Sequence, residues 1–156
     1  MNQRFKNFLL IIPPFYGPNV GSKHMVGTGA GYLLEYLDKH NIKNQYLDMR
    51  IDMNEEKLFE IIKKLNPKLI GFQIMTFRSD IPLDLINKVK ERFDVKIVLG
   101  GPHASLAKAE ILKKNKNVDF LVKYEGEETL FELINGTPLS EVKGLIYRKE
   151  NEIIEN

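Results

Sequence analysis

Short apolar runs alternate along this chain with segments in which apolar residues recur every three or four positions, and this alternation constrains the fold more than any other feature. The apolar runs have the length of β-strands, and the segments between them have the period of amphipathic helices. Predicted strands cover 8–12, 44–48, 69–75, 96–101 and 120–122. Because right-handed crossovers return each helix to the sheet, such an alternation predicts a parallel sheet with helices on both faces.

The sequence therefore predicts an α/β fold of the flavodoxin-like (Rossmann-like) type, with a doubly wound, five-stranded parallel sheet in the order 2-1-3-4-5. Asn54 and Asp80 are expected to cap two of its helices, and a further helix is predicted near 104–114. The last residues alternate around Glu150 and predict a small C-terminal hairpin within 136–156. With 156 residues, the chain has the length of one domain, 1–156.

Charge, hydropathy and cysteine content exclude several classes of function. The net charge is only +2 and the lysines are spread along the helices, so we expect no nucleic-acid partner. The apolar run at 8–12 is too short for a signal peptide or a membrane span, so we expect a cytoplasmic protein without membrane contact. The absence of cysteine excludes disulfides, thiolate catalysis and any cysteine-held zinc or iron–sulfur cluster within this chain.

In an open parallel sheet, ligands bind beyond the carboxyl ends of the strands, so the loops that follow the predicted strands are the candidate site. A phosphoacceptor receiver is excluded because Pro13, Pro14 and Thr76 stand where it needs acidic residues. No G-x-S-x-G elbow is present for a Ser-His-Asp site, and the three histidines lack the spacing of metal ligands.

A nucleotide-binding Rossmann-like domain stays open as an alternative. The run "GTGAG" at 27–31 opens the first helix, and Asp48 ends the second strand, where a ribose-binding carboxylate would stand. The glycines come about fifteen residues after the first strand rather than directly after it, which weakens the match. A non-catalytic interaction domain is the third possibility, because this fold hosts many functions.

Six segments of the sequence together resemble a more specific family, the N-terminal cobalamin (B12)-binding domain of B12-dependent radical SAM enzymes. The strand that ends in Pro-Pro in "LLIIPPFYG" is similar to the first strand of that family, and "GAGYLLEYLDKHN" is similar to its first helix. "IGFQIMT", "VLGGPHA" and "VDFLVKYEGEETLFELI" resemble its later motifs, and "GLIYRKENEIIEN" resembles its closing hairpin. The resemblance covers nearly the whole chain.

The resemblance implies a site that binds cobalamin through its nucleotide tail, with no catalytic residue and no metal ligand. Gly100 and Gly101 would leave a slot open for the tail, and Thr76 would hydrogen-bond it. The alternatives are a tight turn for the glycine pair and a hydrogen bond from His103 to a loop carbonyl. The implied cofactor-binding residues are Met75, Thr76, Gly100, Gly101, Pro102, His103, Tyr124, Glu125, Gly126 and Glu127.

Three departures from the family pattern bear on this site. Gln73 stands where many corrinoid domains have serine, and Tyr124 replaces the first glycine of G-E-G-E, so both narrow the pocket. His24 lies in an H-x-x-G run that lacks the aspartate of the cobalt-ligating motif D-x-H-x-x-G. The resemblance therefore implies base-off cobalamin without histidine ligation.

The resemblance implies that the chain is the cobalamin-binding module of a radical SAM enzyme, expected to be a methyltransferase, and that it is not catalytic alone. The S-adenosylmethionine and [4Fe-4S] sites are expected on a catalytic domain that this chain lacks, joined in cis or acting in trans, because no C-x-x-x-C-x-x-C motif is present.

Overall fold

The strands form one sheet, seen in a computed structural model that describes residues 3–14, 27–51 and 53–156. In the order β2-β1-β3-β4-β5-β6-β7, the sheet places the first strand between the second and the third. Neighbours among β1 to β5 are parallel, which confirms the predicted order 2-1-3-4-5. The strands are β1 (Phe8–Ile12), β2 (Asn44–Asp48), β3 (Leu69–Gln73), β4 (Lys96–Gly100), β5 (Phe120–Val122), β6 (Leu145–Lys149) and β7 (Glu152–Glu155).

Helices cover both faces of the sheet, as a doubly wound fold requires. They are α1 (Thr28–Lys39), α2 (Glu55–Leu65), α3 (Asp80–Arg92), α4 (Pro102–Ala107), α5 (Ala109–Lys114) and α6 (Glu127–Asn135). Along β1, Leu9 and Ile11 join a buried cluster with α2, α3 and α5, whereas Leu10 and Ile12 join a second cluster with α1 and α6. Among the described residues, no helix is long and apolar enough to cross a membrane.

The predicted C-terminal hairpin is confirmed, and it belongs to the main sheet. β6 pairs antiparallel with β5, where Leu121 lies opposite Ile146, and β7 continues the sheet beyond β6. The turn between β6 and β7 includes Glu150 in the left-handed region at φ 53°. The hairpin therefore extends a five-stranded parallel sheet by two antiparallel strands.

One of the two predicted helix caps is confirmed and the other is wrong. Asn54 caps α2, and its side-chain oxygen accepts the N–H of Lys57 at 2.9 Å. Asp80 is instead the first residue of α3, and Ser79 precedes it without a side-chain capping bond. Because Asp80 already lies inside the helix, it cannot be the residue that precedes and caps it, and its carboxylate accepts hydrogen bonds from the Arg78 guanidinium at 3.0 Å.

The helix predicted near 104–114 is two short helices that are separated at Lys108. The N–H of Lys108 donates to the carbonyl of Ala104 and ends α4, and Lys108 then adopts φ 48° and ψ −133° before α5 begins. The predicted strand 69–75 also ends earlier, at Gln73. Beyond it, the N–H of Ile74 donates to the carbonyl of Gly100 at 2.9 Å, so the chain remains attached to β4 as it leaves the sheet.

Candidate functional site

A cleft of about 160 Å³ opens between the sheet, α1 and α6. It lies toward the carboxyl ends of β1, β3, β4 and β5, where the fold class places ligands. Its floor is apolar because helices cover both faces of this parallel sheet, so the strand side chains on each face are hydrophobic. The floor and walls include Leu10, Ile12, Val98, Val122, Leu33 and Leu130.

The two adjacent glycines after β4 have different surroundings. Gly101 has φ +100°, and a Cβ there would lie 3.0 Å from the carbonyl oxygen of Ile74, so the turn itself requires glycine. A Cβ on Gly100 would meet no atom within 4 Å, and Gly100 lines the cleft. The tight-turn alternative thus explains Gly101 alone, and Gly100 leaves open space at the cleft.

The start of α6 forms one wall of the cleft. Glu125, Gly126 and Glu127 line it together with Tyr124, and no side chain caps the helix. Gly126 lies close to the floor, because a Cβ there would be 3.2 Å from a methyl carbon of Val122. The backbone N–H groups of this first helical turn are therefore available beside an apolar cleft.

Tyr124 has φ 57°, a left-handed conformation that glycine adopts without steric cost. This explains in physical terms why the family pattern has glycine at this position. The Tyr124 side chain is 69% exposed, so it narrows the mouth of the cleft without being packed in the core.

The structure brings together part of the predicted site. Six of the ten predicted residues line the cleft, namely Gly100, Gly101, Tyr124, Glu125, Gly126 and Glu127. Met75, Thr76, Pro102 and His103 do not line it. Met75 is half-buried, and Thr76 and Pro102 are exposed in the segments that follow β3 and β4. His24 lies outside the described residues.

His103 is held by its backbone rather than by a hydrogen bond from its ring Nδ1. Its N–H donates to the carbonyl of Ile74 at 3.2 Å. The ring Nδ1 is buried and has no hydrogen-bond partner within the described part of the chain. A buried nitrogen without a partner is unfavourable, but His103 does not line the cleft, so the cleft gives this nitrogen no partner.

Asp48, the residue that the nucleotide alternative assigns to a ribose, is already engaged. Arg50 donates to both of its carboxylate oxygens, at 2.8 and 2.6 Å, and the hydroxyl of Tyr46 donates at 3.2 Å. The Arg50 and Asp48 side chains are only 8% and 14% exposed. Burial raises the pKa of the Asp48 carboxyl, but the hydrogen bonds from Arg50 outweigh it and lower that pKa below its ordinary value.

The glycine-rich run of the nucleotide alternative begins at Gly27, the N-cap of α1, and continues into the helix at Gly29 and Gly31. A dinucleotide site uses its last glycine for close packing of the helix against the strand, but a Cβ at Gly31 would meet no atom within 4 Å, so that packing is missing here. Among the described residues, no three His, Asp or Glu side chains come together as metal ligands.

Sequence reasoning missed several residues of the cleft. Gly71 lies in its floor, and a Cβ there would be 2.8 Å from the Phe8 ring, so close ring packing requires this glycine. The strand period could have predicted that Leu10 and Ile12 share one face. Ser105 also connects two loops at the cleft, but nothing in the sequence distinguishes this role from that of any other serine within a helix.

Comparison with known proteins places the chain among corrinoid proteins. The model of the B12 binding domain matches residues 23–134. The "Uncharacterized methyltransferase PH0819" of Pyrococcus horikoshii is 28% identical over 162 residues, which cover 95% of this chain and 34% of that protein. An anaerobic magnesium-protoporphyrin IX monomethyl ester cyclase of Synechocystis is 35% identical over 92 residues, which cover 56% of this chain and 18% of the cyclase.

Two solved structures share the fold over nearly the whole chain. The cobalamin-dependent S-adenosylmethionine radical enzyme OxsB, with aqua-cobalamin and S-adenosylmethionine bound, has a TM-score of 0.81 at 20% identity and covers 98% of this chain and 22% of OxsB. The radical S-adenosylmethionine methyltransferase TsrM of Kitasatospora setae, with cobalamin and a [4Fe-4S] cluster bound, has a TM-score of 0.81 at 19% identity and covers 96% of this chain and 28% of TsrM. The chain thus spans about a third or less of the length of these relatives.

Proposed function

Because this chain belongs to the B12-binding domain family, we propose that the cleft between α1, α6 and the sheet holds the nucleotide tail of cobalamin. The observation that carries the proposal is the open space at Gly100. A flat heteroaromatic base and its ribose need a slot without side chains, and Gly100 provides one at the carboxyl end of β4.

The chemistry of the lining fits such an occupant. The floor is formed by aliphatic and aromatic side chains, which favour a flat apolar ring over a charged group. Backbone N–H groups at the start of α6 would donate to polar groups of the tail, because the helix has no side-chain cap there.

We infer that cobalamin binds in its base-off form. If the benzimidazole and ribose occupy the cleft, the base cannot also reach the cobalt from below. We also infer that no histidine coordinates the cobalt, because Ser22 replaces the orienting aspartate of the ligating motif in the sequence.

The reaction of the full enzyme is inferred from its relatives and from the cysteine-free sequence. Cobalamin, when bound, supplies a cobalt centre that accepts and donates a methyl group. This chain has no cysteine for a [4Fe-4S] cluster, so the radical SAM chemistry belongs to another domain, in cis or in trans. We propose that the chain is the cobalamin module of a methyltransferase of that kind, and that its own residues bind and orient the cofactor.

The binding experiment uses hydroxocobalamin and removal of unbound cofactor on a desalting column. The wild-type chain should retain about one cobalamin per protein, with an absorbance spectrum shifted to the base-off form. Retention of a nicotinamide or flavin nucleotide in place of cobalamin would support the nucleotide alternative instead. If the chain retains no cofactor after desalting but captures a protein partner, the result would support an interaction domain.

A substitution at Gly100 tests whether the tail occupies the cleft. Gly100→Leu fills the open space, so we expect it to weaken cobalamin binding at least about tenfold. Gly31→Leu is the matched control, because a Cβ at Gly31 also meets no atom within 4 Å but Gly31 does not line the cleft. Equal affinity of the Gly100→Leu variant and the wild-type chain would place the tail elsewhere.

A further inference from the structure

Ser105, in α4, connects the two loops that form the mouth of the cleft. Its hydroxyl donates to the carbonyl of Gly101 at 3.3 Å and accepts the N–H of Tyr124 at 2.8 Å. Gly101 follows β4 and Tyr124 follows β5, so one side chain joins the ends of two neighbouring parallel strands. We propose that Ser105 is a positioning residue that fixes the mouth of the cleft in its binding geometry, an inference that rests on the proposed function.

The bond to Ser105 matters because Tyr124 is in a conformation that its own side chain disfavours. A left-handed φ of 57° is uncommon for a residue with a Cβ and persists where surrounding contacts enforce it. The exposed Tyr124 ring supplies little packing. On one side the N–H of Lys123 donates to Gly144 at 3.0 Å, and on the other the N–H of Tyr124 donates to Ser105.

The position of Tyr124 determines where the next residues lie. Glu125, Gly126 and Glu127 follow directly and form the α6 wall of the cleft. If the Ser105 hydroxyl is removed, the Tyr124 N–H can be satisfied by water, and the backbone is free to leave its strained conformation. The first N–H groups of α6 would then no longer be held at one distance from Gly101.

This role predicts a larger effect on binding than on folding. The loop is exposed, so loss of its fixed geometry exposes little apolar surface. Preorganisation, however, contributes directly to affinity, because a mobile wall must be ordered when the ligand binds. A residue that only packs in the core would lower stability and affinity together.

The test compares Ser105→Ala with Ser105→Thr in the full chain, using hydroxocobalamin as the probe. Ser105→Ala should raise the Kd about tenfold, which corresponds to about 1.4 kcal/mol, and should leave the melting temperature nearly unchanged. Ser105→Thr should bind like the wild-type chain, because threonine in a helix can also bond the carbonyl four residues earlier. Ser140→Ala, an exposed serine that does not line the cleft, is the matched control and should change neither quantity.

Amide hydrogen exchange gives a readout that does not need the ligand. The Tyr124 amide should exchange at least about tenfold faster in Ser105→Ala than in the wild-type chain, and the core amides of β4 should be unaffected. If the wild-type chain binds cobalamin and Ser105→Ala binds it equally well, the positioning role is wrong and the proposed function stands. If the wild-type chain does not bind cobalamin, both are wrong.

Discussion

Seven non-glycine residues in the described part of the chain have positive φ, and their side chains suit that conformation to different degrees. Three of them are asparagines, whose short polar side chain tolerates the left-handed region. Lys108 and Tyr124 have no such advantage. Tyr124 lines the cleft, whereas Lys108 separates α4 from α5.

Lys108→Gly should stabilise the protein. Lys108 has φ 48° and ψ −133°, which glycine adopts without steric strain, so we expect a gain of about 1 kcal/mol in the free energy of unfolding. The ion pair that is lost is weak, because Lys108 and Glu155 are 4.0 Å apart and both are exposed. Urea unfolding measures the change. Lys116→Gly, at a residue without positive φ, should be neutral or destabilising, and a loss of stability in Lys108→Gly would contradict the prediction.

The glycine pair after β4 should respond asymmetrically to alanine. Gly101→Ala combines a strained positive φ with a contact at 3.0 Å to the Ile74 carbonyl, so it should cost about 1–3 kcal/mol of stability. Gly100→Ala meets no atom and should change stability by less than about 0.5 kcal/mol. Chemical denaturation of both variants measures the difference. Equal costs would mean that the turn does not have this geometry.

Asp48 should make the stability depend on pH in the acid range. Its pKa is lowered in the folded state, so its contribution is fully present above the unfolded-state pKa of about 4 and is lost as the pH falls through the lower folded-state value. Asp48→Asn should therefore destabilise the protein at about pH 7, and the difference from the wild-type chain should shrink at about pH 3. Urea unfolding at both pH values measures this. A constant difference would show that the carboxylate charge is not responsible.

At the scale of elements, Asn54, which precedes α2, and Asp80, which is the first residue of α3, show how capping depends on position and neighbours. Asn54 accepts the N–H of Lys57 and belongs to the helix end that it stabilises. Asp80 has the same sequence signal, but its carboxylate binds Arg78 two residues earlier. The ion pair is exposed, with 48% of the arginine and 65% of the aspartate side chain accessible to solvent, so it contributes little.

Alanine substitutions at the two helix starts should therefore have different effects on the free energy of unfolding. Asn54→Ala should lower the free energy of unfolding by about 1 kcal/mol, and Asn54→Ser should restore most of it, because serine also caps. Asp80→Ala should cost less than about 0.5 kcal/mol. Thermal and urea unfolding of the three variants measure these values. A larger cost at Asp80 than at Asn54 would show that Asp80 stabilises the start of α3 after all.

The sequence predicted most elements because their signals are local. A few neighbouring residues are enough to predict the apolar strand Phe8–Ile12, the cap Asn54 and the glycine that ends α6. The break at Lys108 was not predictable, because lysine is an ordinary helix residue and its φ depends on how α4 and α5 pack. Gly100 and Gly101 look equal in the sequence, and only the position of the Ile74 carbonyl distinguishes them.

The candidate site was predictable as a set of loops but not as a cavity. The rule that ligands bind at the carboxyl ends of parallel strands identified the loops that contain Gly100 and Tyr124. The position of α1 and α6 over the sheet then determines which loop residues face the cleft, and this requires tertiary packing. Thr76 and Pro102 have suitable chemistry and neighbouring sequence positions, but they lie outside the cleft lining.

For the molecule as a whole, ligand binding should appear as added stability. A ligand that binds only the folded chain stabilises it by about 2.7 kcal/mol at a hundredfold excess over Kd, which for a chain of this size raises Tm by about 5–10 °C. Hydroxocobalamin should produce this shift in a thermal melt of the wild-type chain, and a much smaller one with Gly100→Leu. An equal shift in the two proteins would mean that the cofactor binds away from Gly100.

The central sheet separates the two apolar clusters, and among the described helices it is α1 and α6 that contribute residues to the cleft at Gly100. The thermal stability of the protein and its choice of cofactor can therefore be changed by substitutions on opposite faces of the sheet. Repacking beneath α2 and α3 should change the free energy of unfolding, whereas substitutions in the α1 and α6 layer should change which ligands fit the cleft, and distant changes of this kind combine nearly additively.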